Sequence, residues 1–185
     1  MHWLLTLVLS LANGSPSVDR NISAETRRNG DSVQMEVFYP NRIKDPIGER
    51  CDVGYPVRRM VPRPLSLIDS IKVSVREYLN GPTESERQDG FMSAVPGREE
   101  ILTHKEYLKE GFGWTEGDTA VTLKEVSMTG DTVFVQLSAS SQAYGGGSCR
   151  IDEILGPLKQ TVRSIVNAAR VFVFVKGHDD DGFQP

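Results

Sequence analysis

Hydrophobic and polar positions change period several times along this chain, and each change marks an element. Residues 33–40, VQMEVFYP, alternate and are rich in β-branched and aromatic side chains, which predicts a first strand ending at Pro40. A loop from Asn41 to Asp52 follows, and VGYPVRRMV is then a second strand, with Pro56 placing it at a sheet edge. The stretch PRPLSLIDSIKVSVREYLNGP carries two periods at once. Ile71, Val73 and Val75 alternate, whereas Leu65, Ile68, Ile71, Val75, Tyr78 and Leu79 share one helical face. Its length, the opening prolines Pro62 and Pro64 and the stop Asn80-Gly81-Pro82 favour a helix.

Beyond that stop the chain reads GPTESERQDGFMSAVP. Gly81 suits the backbone that ends a helix, and Pro82 forbids its continuation. Thr83 and Glu86 then have the spacing of a capping box, in which hydroxyl and carboxylate each take a free backbone N–H. One short turn ends at Gly90, after which Phe91 and Val95 return to the core before Pro96. The segment is a rigid, twice-capped connector. Residues 97–118 predict a short helix from Glu99 to Lys109 and a Gly-rich loop carrying Phe112 and Trp114. TAVTLKEVSMTGDTVFVQLS holds two alternating runs joined through Thr129-Gly130-Asp131, a β-hairpin with Val133, Val135 and Leu137 on one face. A polar link follows, with Ser148 as a candidate cap. Ile154, Leu155, Leu158, Val162, Ile165 and Val166 then recur at helical spacing. Pro157 removes a donor inside that pattern and predicts a kink or a late helix start. RVFVFVK, apolar on both faces, predicts a central buried strand, and GHDDDGFQP an acidic tail over residues 178–185.

Composition bounds the function. With 185 residues, 38% hydrophobic and 25% charged, the chain has room for one globular core, and its net charge of -4 argues against nucleic acid as a partner. The apolar run from Trp3 to Ala12, ending Ala12-Asn13-Gly14, reads as a secretory signal peptide over residues 1–14, a buried N-terminal element being the alternative. The run is about half of the roughly 20 residues that span a bilayer, so the mature chain is expected to have no transmembrane span. Residues 15–32 then form a flexible linker. In an exported chain Cys51 and Cys149 are the one possible intramolecular pair, to be read either as a disulfide or as two unpaired, buried thiols.

The order strand, strand, helix, capped connector, hairpin, helix, strand, with Gly81, Pro82, Thr83, Glu86, Gly90, Phe91, Ser93 and Pro96 in the connector, resembles the GerMN domain of bacterial sporulation and spore-germination proteins. Pro56-Val57-Arg58, Val135-Gln136-Leu137-Ser138, Gly147-Ser148, Thr161 and Gly177 are further points of likeness, and the resemblance runs from Val33 to Gly177. It implies a single α+β domain, with two helices packed on one face of a mixed, largely antiparallel sheet. It also implies a non-catalytic role in assembling cell-envelope complexes, similar to the small ring-building domains of secretion machines. The partners it implies are envelope proteins.

Candidate chemistry is sparse, and neither a cofactor nor a metal site is predicted. After the signal segment only His104 and His178 remain, without metal-ligand spacing. GGGSCR lacks the last glycine of a nucleophile elbow. YGGGS lacks the Lys of a phosphate loop, and Asp179, Asp180 and Asp181 lack calcium-loop spacing. Arg58, Arg59 and Arg63, with Arg42, Lys44 and Arg50 nearby, form a basic region on an acidic chain, suited to an acidic partner or an anionic polymer, or else a charge-protected edge. Arg58, Arg59, Phe112 and Trp114 are the candidate partner contacts. Two other readings stand beside this one: a small envelope hydrolase with Cys149 as nucleophile at a helix start, and a binder of cell-wall polymer.

Overall fold

A computed structural model describes residues 31–97, 120–138 and 147–175. The readings for residues 1–14, for the linker up to Gly30, for the helix and loop with Phe112 and Trp114, for His104, for the polar link at 139–146, for Gly177 and for the tail at 178–185 all lie outside the described residues.

From Val33 onward the described residues form one compact α+β unit. In chain order its elements are β1 (Ser32–Tyr39), β2 (Tyr55–Pro62), α1 (Leu67–Asn80), α2 (Glu84–Gln88), β3 (Leu123–Thr129), β4 (Thr132–Leu137), α3 (Ser148–Ile165) and β5 (Arg170–Val175). Strand alternation works as expected in β1, where Met35, Val37 and Tyr39 are buried. The ambiguous stretch before Gly81 is a helix, capped by Ser66, whose hydroxyl accepts from the Asp69 N–H. It starts later than its apolar spacing implies. Leu65 precedes the cap and is 97% exposed, because the cap fixes the first turn at Leu67 and leaves Leu65 in the approach.

Instead of one sheet, the strands make two: β1 with β2, and β3-β4-β5. β3 and β4 are the antiparallel hairpin, turning through Gly130 at φ 60°. β4 and β5 run parallel, Val133 opposite Val171 and Val135 opposite Val173, which requires the long crossover that α3 supplies. The division has a visible cause in β1. Its Phe38 N–H donates to Thr161 Oγ1 and its Glu36 carbonyl accepts from Ser164 Oγ, so side chains of α3 occupy backbone groups that another strand would have used.

β5 is an edge strand and not the central one that its composition implies. Val171 and Val175 are buried, but Phe172 is 49% exposed and stacks on Phe134 at 5.6 Å. The core nevertheless spans both sheets. Val37 and Tyr39 of β1, Ile71, Val75 and Tyr78 of α1, and Ile154, Leu158 and Val162 of α3 join Val133, Val135 and Leu137 of β4 in one cluster. α1 and α3 pack on each other, α1 also on β3 and α3 also on β5.

α3 continues through Pro157 as one helix that starts nine residues before it, with Gly147 and not Ser148 at its N-cap. Contacts from elsewhere in the fold hold this turn. Tyr78 donates its hydroxyl to the Ile154 carbonyl at 2.9 Å, and Gly156 lets the Asp52 backbone approach so closely that a Cβ there would lie 2.0 Å from the Asp52 oxygen. Burial holds the Tyr78 hydroxyl far above its ordinary pKa, so it stays a donor.

Candidate binding groove

The loop between β1 and β2 is short of secondary structure but dense in bonds. Asn41, buried, organises its start: Oδ1 accepts from the Ile43 and Lys44 N–H groups and Nδ2 donates to the Asp89 carbonyl. Arg42 N–H donates to the Gly90 carbonyl and Met92 N–H to the Pro40 carbonyl, so the loop is zipped to the capped connector. Gly90 sits at φ +86°, which favours glycine, and a Cβ there would meet Ile43 Cγ1 at 2.7 Å, so that exposed side chain would also have to move. Lys44 Nζ lies 5.1 Å and 5.3 Å from the ring centroids of Tyr55 and Phe91, within cation–π range. Asp45 accepts from the Arg50 N–H and keeps the loop turned.

The far end of this loop is fastened to α3. Cys51 and Cys149 lie at disulfide distance, their Cα atoms 5.2 Å apart across a separation of 98 residues. Three residues on, Gly54 N–H donates to Gln160 Oε1 at 2.8 Å, with no room for a Cβ between Gln160, Phe38 and Pro157.

Between the fastened loop and the start of α3 lies a groove of about 240 Å³. Arg42, Asp45 and Arg50 line it from the loop, and Arg150 and Glu153 from α3. Ile47, Val53, Tyr55 and Met92 are among its apolar lining residues. Arg150 pairs with Glu153 at 3.9 Å, whereas Arg42 and Arg50 are exposed and, among the described residues, hold no carboxylate with their guanidinium groups. In sequence Arg42 and Arg50 fall in with the arginines of β2, and nothing there points to Arg150. One signal could have found the groove: Arg50 precedes Cys51 and Arg150 follows Cys149, so pairing the cysteines gathers both arginines.

The arginines of β2 part company. Arg58 is exposed, its side chain 72% accessible, and faces Glu36 at 3.6 Å. Arg59 is turned inward, 11% accessible, between the carboxylates of Glu77 and Glu86. Its Nε–H and both Nη groups donate to Glu86 Oε1 and Oε2, to Glu77 Oε2, and to the Glu77 and Gly81 carbonyls, which engages all five N–H donors. It lies 5.4 Å from the centroid of Tyr39, which stacks on Tyr78. The guanidinium therefore has nothing left to offer a partner, and its place is structural.

Glu86 closes the same arrangement. It accepts from the Thr83 N–H at 2.6 Å while Thr83 Oγ1 accepts from the Glu86 N–H, the capping box expected from sequence. Burial would raise its carboxyl, but the bonds from Arg59 and Thr83 outweigh burial and hold it below the ordinary value of 4.5. Burial would equally favour a neutral Arg59, and the two carboxylates reverse that and raise its pKa further. Burial raises the Tyr39 hydroxyl, and the Arg59 charge is the largest influence in the other direction.

Among the described residues no cluster of three His, Cys, Asp or Glu side chains is arranged to hold a metal ion, and no helix is long and apolar enough to cross a membrane. An α+β domain with a cysteine-fastened, arginine-lined groove is the class that the fold and the site define. Compared with models of known families, with curated proteins and with solved structures, the chain matches none.

Proposed function

We propose that this chain is a non-catalytic binding module that works outside the cytoplasmic membrane, within a cell-envelope assembly of the kind served by the GerMN-like domains its connector resembles. One observation carries the reading: Cys51 and Cys149 at disulfide distance fasten an exposed, arginine-bearing loop to α3. Such a bond persists in oxidising compartments, and it presents a loop in one conformation, which lowers the ordering cost of binding. It also speaks against the hydrolase reading, since an oxidised Cys149 has no thiolate with which to attack. Cell-wall polymer as the partner rests on the basic residues alone and is the second reading.

The test joins two measurements on protein taken from the cells that make it. Thiol trapping under denaturing conditions is expected to find neither cysteine free, and cross-linking with mass spectrometry to recover a discrete envelope protein. Fast alkylation of Cys149 at neutral pH, with no partner enriched, would instead favour the hydrolase. Co-sedimentation with purified wall polymer, again without a protein partner, would favour the second reading.

A further inference from the structure

Resting on that reading, we infer that the groove between the β1–β2 loop and α3 takes a short acidic and apolar segment of a protein partner, its carboxylate held by Arg42 and Arg50. The two guanidinium groups are exposed and line one groove, and although Asp45 and Glu153 also line it, neither guanidinium is in a salt bridge with a carboxylate among the described residues. Planar, fork-shaped donors of this kind suit a carboxylate, which they bind through paired N–H groups.

Size and lining narrow the ligand. About 240 Å³ is below the ordinary range for a drug-sized molecule and suits a few side chains of a peptide. Apolar side chains share the lining with the charged ones: Val53, Tyr55 and Met92, and Ile47 at 79% exposure. Polyphosphate has no apolar group to set against these side chains. The whole chain also carries a net charge of -4, which repels a long polyanion at range but leaves a single acidic side chain to be read locally. Rigidity completes the case. Asn41 and the connector hold one end of the loop and the cysteine pair the other, so the backbone that carries the arginines is already ordered and only their side chains remain to be fixed.

The experiment screens a displayed library of random heptapeptides against the full chain. The strongest binders are then synthesised and measured by fluorescence polarisation with wild type, Arg42→Ala/Arg50→Ala and the charge-matched control Arg76→Ala/Arg163→Ala. Both control arginines are exposed and outside the groove. Enriched peptides are expected to carry Asp or Glu beside Leu, Ile, Met or Phe. Their affinity is expected to fall about tenfold or more in Arg42→Ala/Arg50→Ala and to stay unchanged in the control, with thermal melting unaltered in both. Peptides without acids, or peptides that bind the groove variant as well as wild type, would overturn the groove while leaving a binding module intact. No enrichment would overturn the peptide inference and leave the cross-linking test of the module to stand alone. Binding of polyphosphate that the groove variant loses, with no peptide enriched, would reassign the groove to an anionic polymer and overturn the inference as well.

Discussion

Arg59 is the residue on which the most separate parts of the chain depend. It leaves β2, crosses beneath Tyr39, and ties the end of α1 to the capping box of α2 through Glu77, Gly81 and Glu86. Replacing it with alanine leaves two carboxylates facing each other without a cation, so Arg59→Ala is expected to cost about 3 kcal/mol in urea unfolding, the low end of the range for breaking a buried pair. Arg59→Lys keeps the charge but offers three donors from one point, and is expected to recover less than half of that loss. Glu86 adds a pH signature. Its carboxyl is lower in the folded chain than in the unfolded one, so its contribution is complete above about pH 4.5 and is lost as pH falls through the folded value. Glu86→Gln is therefore expected to be less stable than wild type near neutrality, and the gap to narrow steadily on acidification. A gap that is constant with pH would mean that the carboxylate charge contributes nothing. Sequence gave Arg59 away only in part: the capping box was visible from Thr83 and Glu86, but that Glu86 also faces an arginine 27 residues earlier needed the fold.

Elements whose signals are local were legible, and those set by distant partners were not. The helix α1, the capped connector and the β3–β4 hairpin each carry their periodicity and their terminators within about twenty residues, so tertiary packing had little to override. The edge position of β5 depends on pairing with β4 alone, and its two-sided apolar composition could not reveal that one side stays open. The passage of α3 through Pro157 was equally hidden, because the turn is held by Tyr78 and by the Asp52 backbone. Two substitutions test this element by element. Thr83→Ala removes the hydroxyl half of the capping box and is expected to cost about 1 kcal/mol. Gly156→Ala pits helix preference against space. Alanine gains up to about 1 kcal/mol in a helix interior, yet its Cβ would meet the Asp52 backbone, and overpacking costs about 1 to 3 kcal/mol. Steric conflict is expected to win, so Gly156→Ala should melt below wild type; a variant that melts higher would show that the 51–54 loop yields freely.

At the scale of the molecule, the cysteine pair couples the first third of the described chain to the last. The loop it closes holds 98 residues of sequence separation, including α1, the connector, the hairpin and half of the core. In the chain-entropy view, closing a loop of about a hundred residues stabilises the fold by about 4 to 5 kcal/mol, most of it by restricting the unfolded chain. The core itself does not contain the bond. Cys149 is exposed and Cys51 only partly covered, so a reductant can reach the pair without prior unfolding. Reduced protein and Cys51→Ser/Cys149→Ser should therefore keep the same secondary structure by circular dichroism while losing about 3 to 4 kcal/mol, or roughly 10 °C in melting temperature for a chain of this size. Because, among the described residues, the 51–54 segment is tied to α3 by the Gly54–Gln160 bond and close packing once the disulfide is cut, with the Val53–Arg50 bond local to the loop, amide exchange should rise there and around Arg42 and Arg50 before it rises in β4. Exchange that rises equally in β4 and in the loop would mean that the bond secures the core as a whole. A loop that stays protected after reduction would mean that packing on α3 suffices to shape the groove, and that the bond matters only for overall stability.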